Sequence, residues 1–429
     1  MSRILYSALW WIAMPLVLLR LWRRGRKEPG YRRHIAERLG FYSGSVRSNA
    51  RCIWVHAVSV GETRAAEPLI DALLRQYPQY AVVLTHMTAT GRTTGAQLFG
   101  KYGARVQQSF LPYDTGWMCA RFLRHFRPLA CILMETEVWP NLMAQCRQHN
   151  VPVMLANARL SERSLRRGQR FAGLLRPAAD AIVSVGAQSD ADAQRLRAFG
   201  ARHVEVTGSL KFDVQVPPAM AELGSAWRQA VGKRRVLLCA STREGEEKLI
   251  LDALEKLGKS EWLTIIVPRH PQRFDEVATL VTARGLSLLR RSQPRIDFGV
   301  GGADVVLGDS MGEMFAYYAA CDAAFIGGSL LPLGGQNLIE ALALGKPVMI
   351  GMHTFNFEGI TEQAIAAGAA VRVADAGELL RGWRMLMDDA DRYARMSSAA
   401  LAFARSHQGA TERTMALLTP LISGFNQTI

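Results

Sequence analysis

The sequence predicts an α/β fold: two Rossmann-like domains facing across a cleft, each on a parallel, doubly wound sheet, behind an N-terminal membrane-anchor helix. Three observations carry this. The chain has 429 residues, too many for one ordinary core. Short apolar runs bounded by turns alternate with amphipathic helix patterns along almost all of it, as βαβ units require. The alternation pauses once, at "GSLKFDVQVPP" (208–218), and then restarts. The expected division is residues 1–24 as anchor, 25–209 as the N-terminal domain, and 210–429 as the C-terminal domain with its terminal helices.

The anchor is read from "ILYSALWWIAMPLVLL", sixteen residues (4–19) without a charge. A span takes about 17–25 residues. Arg20 can snorkel and extend the stretch through Trp22. Arg20, Arg23, Arg24, Arg26, Lys27, Arg32 and Arg33 crowd its C-terminal side. Such an excess marks the cytoplasmic side of a membrane, so the body of the protein is expected to be cytoplasmic, with its basic residues against anionic lipid. The chain is 49% hydrophobic and 21% charged, with a net charge of +15. That balance suits nucleic acid, an anionic membrane or acidic substrates. The polar residues gather at strand ends and do not form interleaved basic and aromatic stripes, which speaks against nucleic acid. The six cysteines form no CxxC pair and lie in apolar or helical stretches, so reduced buried thiols are expected.

The first half contains expected strands at 52–57, 81–86, 107–111, 130–135, 153–156, 181–185 and 203–207. The second half contains them at 236–240, 263–267, 286–290, 305–307, 323–326, 348–350 and 370–373. Ligands of such sheets bind beyond the carboxyl ends of the strands, and polar residues collect there. Glu62 follows the first strand, in the first turn of a helix where a carboxylate also suits the macrodipole. "METEVWPNL" puts Glu135 and Glu137 after a buried strand, with Pro140 opening a helix. A carboxylate such as Glu135 is costly to bury unpaired, so Lys211 or a ligand is its expected partner. Asn157, Arg159 and Ser161 follow the next strand.

In the second half, Ser241, Thr242, Arg243 and Glu244 precede a helix, Arg269 and His270 follow a strand, and Gly312 precedes another helix. "GGSLLPLGGQNLIEALALGKPVMIG" is the richest stretch. Gly327, Gly328, Gly334 and Gly335 permit close backbone approach, a helix beginning near Asn337 directs free N–H groups forward, and Glu340 can meet ribose hydroxyls. There is no P-loop, no GxGxxG after a first strand, and no HExxH or His/Cys cluster. Asp190 and Asp192 read as helix caps. No cofactor and no metal site are expected.

"HAVSVGET", "LPYD", "METEVWPNL", "NARLSERS", "GSLKFD", "STREGEE", "VPRHPQRF", "GGSL…GGQN…E" and "HTFNF" occur in this order. Together they resemble the Kdo transferases of lipopolysaccharide synthesis, which move 3-deoxy-D-manno-oct-2-ulosonic acid (Kdo) from CMP-Kdo to the lipid A precursor. The resemblance implies a GT-B architecture, with acceptor on the N-terminal domain and nucleotide on the C-terminal one, and an inverting, metal-independent transfer. It implies Glu62 as general base, with Glu135 and Lys211 as transition-state stabilisers. It places CMP contacts at Pro268 and Arg269, at Met311, Gly312 and Glu313, and at Asn337, Leu338, Ile339 and Glu340. One departure is Gln336, where the family carries His in "GGHN". Two alternatives stay open at this point: another GT-B sugar-nucleotide transferase or epimerase, and a non-enzymatic basic membrane-surface protein.

Overall fold

A computed structural model describes residues 2–42, 51–258, 261–293 and 302–423. The chain forms two compact units, Met1–Asp213 together with Gln408–Ile429, and Val214–His407.

The first unit holds β1 (Cys52–His56), β2 (Ala81–His86), β3 (Val106–Phe110), β4 (Pro128–Met134), β5 (Val153–Ala158), β6 (Ile182–Ala187) and β7 (Val204–Val206). They form one seven-stranded sheet in the order β3-β2-β1-β4-β5-β6-β7. All seven expected runs are strands, and the pairings are parallel throughout. Alternate residues feed opposite layers. In β4, Cys131 and Leu133 join Trp54, Val83 and Phe122 on one face, while Ala130, Ile132 and Met134 join Ile53, Val55 and Leu69 on the other. Both faces are covered, as a parallel sheet demands.

The second unit repeats the plan with β8 (Val236–Thr242), β9 (Leu263–Pro268), β10 (Leu288–Arg290), β11 (Val305–Leu307), β12 (Ala323–Ile326), β13 (Val348–Ile350) and β14 (Ala370–Arg372). Their order is β10-β11-β9-β8-β12-β13-β14. Chain order reverses between β1 and β4 in the first sheet and between β8 and β12 in the second, so each sheet has a switch point, the place where sheets of this kind bind ligands.

The sequence reading assigned residues 210–429 to the second domain. Instead the first unit runs through Asp213, and the last helix, Ala410–Ser423, belongs with it. Met415, Leu418 and Ile422 of that helix are buried in the layer of Ile53 and Leu69. Asp213 caps the helix start, accepting from Gly409 and Thr411 N–H at 2.7 and 2.5 Å. Each such apolar side chain contributes about 1.5–3 kcal/mol when buried. An amphipathic pattern tells that one face is covered but not by what.

The N-terminal helix, Arg3–Lys27, is long and apolar enough to cross a membrane by length and composition. One side of it is docked on the first unit. Ser7 Oγ donates to Asn141 Oδ1 at 3.1 Å, Trp10 lies 5.7 Å from the Tyr113 ring, Met14 packs on Met118, and Leu21 packs on Tyr31 and Ala89. The other side is bare: Ile4, Ile12 and Leu16 are 83%, 74% and 70% exposed. All six cysteines are buried and unpaired.

Candidate active site

At the first switch point, β1 breaks into Val58 and Ser59, and the helix Val60–Ala65 begins. Ser59 is its N-cap, and Glu62 reaches back over the turn. Glu62 Oε2 accepts from Val58 N–H at 2.8 Å and Oε1 from Ser59 Oγ at 3.0 Å. This is a capping-box arrangement displaced by one residue. Burial pushes the Glu62 carboxyl up from 4.5 to about 7; the Val58 N–H opposes this, and the charges of Glu135 and Glu137 add to it. A carboxyl that titrates near neutrality is suited to exchanging protons.

Glu135 stands just past the end of β4, the neighbour of β1. Its backbone is left-handed, with φ of 59°. Such strain in a non-glycine residue costs about 1–3 kcal/mol and collects at working sites. Its carboxylate meets Lys211 Nζ at 3.4 Å, with side chains 17% and 26% exposed. The expected partner of Glu135 is therefore the observed one. Glu137 is held by Trp139 Nε1–H at 2.8 Å, and burial raises its carboxyl above the usual range.

Lys211 sits in a short 3-10 turn, Leu210–Asp213, that is fixed on both sides. Leu210 N–H donates to Asn157 Oδ1 at 3.1 Å, and Asp213 caps the last helix. Asn157 itself is buried and left-handed, with φ of 53°. It is a positioning residue for the Lys211 turn, a role its place after a strand only hinted at. Arg159 and Ser161 are both exposed, and Ser161 caps the helix Glu162–Arg170. Asp190 and Asp192 lie in the first turn of another helix, where Ser189 is the cap and Asp192 answers it.

In the second unit the glycine-rich loop follows β12, next to β8. Gly327 has no room for a side chain, because a Cβ there would lie 2.5 Å from Ser241 O. The loop hangs on Glu246, which is completely buried and which the sequence reading did not single out. Its two oxygens accept four backbone N–H groups: Arg243 at 2.8 Å, Gly328 at 2.6 Å, and Ser329 and Leu330 at 2.9 Å each. The run "EGEE" was its one sequence signal, since a cap needs fewer carboxylates than that. Neighbouring Glu247 accepts from Thr242 Oγ1 at 2.9 Å and from Arg273 at 2.7 Å.

Arg243, Arg269 and Arg273 surround His270. Burial first, and then these three positive charges, lower its pKa. The region favours an anion. Pro268 ends β9, and Arg269 N–H donates to Thr242 O at 2.9 Å. Met311 is exposed, Gly312 is left-handed with φ of 83°, and Glu313 pairs with Arg291 at 2.9 Å. The helix expected near Asn337 starts later and is short, Ile339–Ala343. Its first N–H, that of Ile339, is taken by Asn337 Oδ1 at 3.1 Å, and Asn337 Nδ2 donates to Glu340 at 3.1 Å. Leu338 and Ile339 are wholly buried. Gln336 lies against Gly328: a Cβ on that glycine would be 3.2 Å from Gln336 Nε2 and 3.5 Å from Arg243 Cγ. Among the described residues no group of three or more His, Cys, Asp or Glu is placed to hold a metal ion.

Each unit carries a parallel Rossmann-like sheet of the GT-B kind, with charged groups at its switch point. Among solved structures, a glycosyltransferase from Rickettsia africae matches with a TM-score of 0.57 at 13% identity, covering 87% of this chain and 99% of that one, a likeness of fold alone. The family model described as 3-deoxy-D-manno-octulosonic-acid transferase (kdotransferase) matches residues 33–214. The chain is 46% identical over 411 residues to the 3-deoxy-D-manno-octulosonic acid transferase of Bordetella pertussis, covering 94% of this chain and 95% of that one. It is 34% identical over 431 residues to that of Haemophilus influenzae, covering 98% and 99%. The chain belongs to the Kdo transferases of lipopolysaccharide synthesis.

Proposed function

We propose that this chain transfers Kdo from CMP-Kdo to a lipid A precursor, lipid IVA, with inversion and without a metal ion. The observation that carries the reading is the Glu62 carboxyl, poised near neutrality beside the Glu135–Lys211 pair at the switch point of the first unit. An acceptor hydroxyl gives its proton to Glu62 while its oxygen forms a bond to the anomeric carbon of Kdo. The bond from that carbon to the CMP phosphate oxygen breaks, and its electron pair leaves on CMP. The departing phosphate needs cations more than a proton. Lys211 with Glu135 stabilises the developing charges. Arg269 within the arginine cluster, Pro268, the 311–313 turn, and the backbone and polar groups of Asn337, Leu338, Ile339 and Glu340 hold the nucleotide. These cations fill the part that a divalent ion plays in other transferases.

The N-terminal helix is the proposed membrane attachment at the cytoplasmic face of the inner membrane. Its contacts from Ser7 to Leu21 keep it alongside the first unit, which fits a helix lying in the interface with its bare side toward the acyl chains.

The deciding experiment is mass spectrometry of a tetraacylated lipid A precursor incubated with purified protein and freshly made CMP-Kdo, with and without chelator. The expected result is an acceptor heavier by Kdo in both cases. An unchanged acceptor overturns the reaction, and product only without chelator overturns the metal-free scheme.

A base titrating at about 7 also gives the rate a definite pH dependence. Transfer is expected to fall about tenfold for each pH unit below that value, where the carboxyl is protonated, and to level off above it. A flat profile from pH 5 to 8, roughly the range in which such a group titrates, removes Glu62 as the base.

A further inference from the structure

A second basic site lies on the first unit, away from the carboxylate cluster. The helix Gly116–Phe126 buries Met118, Cys119, Phe122, Leu123 and Phe126. Trp117, Arg121, Arg124 and His125 recur at one-turn spacing on its other side. With Gly40 and Tyr42, the two arginines and His125 line a hollow of about 420 Å³. Tyr42 stacks on His125 at 4.9 Å, and its hydroxyl is already engaged with Glu37 O. Arg121 donates Nε–H to Gly40 O at 2.7 Å and stacks on Phe41 and Trp117 at 4.8 and 4.9 Å. Among the described residues, its outer nitrogens have no hydrogen-bond partner and so can take a ligand. Arg124 is exposed. Among the described residues, neither guanidinium pairs with a carboxylate.

The surroundings choose the anion. Phe41 and Trp117, which flank Arg121, are 47% and 44% exposed. Met118 of the same helix packs on Met14 of the apolar N-terminal helix. A bare apolar helix beside exposed aromatics and two arginines brings together the kinds of group that meet the polar layer of a bilayer. The hollow is also separate from the acceptor end of the sheet. Phe126 O accepts from Cys52 Sγ at 3.1 Å, at the amino end of β1, whereas Glu62 lies beyond its carboxyl end.

We propose that the hollow lined by Gly40, Tyr42, Arg121, Arg124 and His125 binds the anionic phosphate of a bilayer lipid headgroup, distinct from the acceptor, beside the membrane-lying helix. This rests on the membrane attachment proposed above. Free phosphate shares the chemistry, and the test separates the two sources.

The full chain is floated with vesicles of phosphatidylcholine and with vesicles of phosphatidylcholine and phosphatidylglycerol. The apolar helix gives a baseline on both, and phosphatidylglycerol adds an increment. In Arg121→Gln/Arg124→Gln that increment is expected to fall at least about 20-fold. In Arg381→Gln/Arg384→Gln, which removes the same charge from exposed positions of the second unit, it is expected to change less than about threefold. Arg124→Gln alone, at an exposed side chain, gives a fold-neutral check and is expected to lose about fivefold or more. Equal losses in both double variants overturn the site, as does full retention in Arg124→Gln. Inorganic phosphate that abolishes the increment at millimolar concentration makes this a soluble-phosphate site and overturns the lipid assignment. Wild-type transfer onto detergent-dispersed acceptor is measured in parallel. Its failure sinks the transferase reading and leaves the lipid increment to be judged by itself.

Discussion

Glu62→Gln is expected to fold as the parent does and to transfer Kdo about 10²–10⁴-fold more slowly, the usual contribution of a positioned general base. The fold survives because the amide oxygen can still accept the Val58 N–H and the amide nitrogen can face the Ser59 hydroxyl. Stability adds a second, opposite signature. The folded chain raises the Glu62 pKa from 4.5 to about 7, so folding favours the protonated carboxyl. The resulting stabilisation is complete below the unfolded value and is lost as pH rises through the folded one. Above neutral pH the glutamine variant is therefore expected to melt no lower than the parent. A variant that melts normally and turns over within a few-fold of the parent refutes the assignment. One that is inactive because it is unfolded, seen by circular dichroism, shows the capping role instead.

Glu246→Ala is expected to lower the melting temperature of the second unit by about 10 °C or more. It leaves four backbone N–H groups of the 243 and 328–330 segments without their acceptor. Each buried donor so stranded costs about 1–3 kcal/mol, and each kcal/mol moves a unit of this size by about 2–4 °C. Glu246→Gln keeps one good acceptor oxygen and should lose less. Calorimetry reads the transition, and titration with CMP reads whether the glycine-rich loop still forms a nucleotide site; weaker CMP binding is expected in both variants. A melting point within about 2 °C of the parent means that the loop is held by other contacts.

Both residues were visible as carboxylates near helix starts, and only one was singled out. Glu62 stood alone after a strand, at a place where α/β sheets bind ligands, within a motif that resembles a known family. Glu246 stood in a cluster of acids, and a linear pattern does not reveal which of several carboxylates turns inward. All fourteen expected strands are present, because buried parallel strands leave short apolar runs that turns delimit. Glu135 and Lys211 lie far apart in sequence, and their ion pair was anticipated from the cost of burying a lone charge. The left-handed turns at Glu135, Asn157 and Ser241 were not, since non-glycine residues carry no mark of positive φ. The partner of the last helix was also unreadable, because an apolar stripe does not name the surface it covers.

That helix has a consequence for how the chain is made. The ribosome releases Val214–His407 before the helix Ala410–Ser423 emerges. During synthesis the second unit can close on its own residues, while the first waits with the layer around Ile53 and Leu69 open to solvent. Domains generally mature in the order in which they are synthesised; here the earlier-made unit is the later one to be completed. A chain ending near residue 408 would keep the whole second unit and leave the first unfinished, with the apolar layer around Ile53 and Leu69 exposed and available to chaperones.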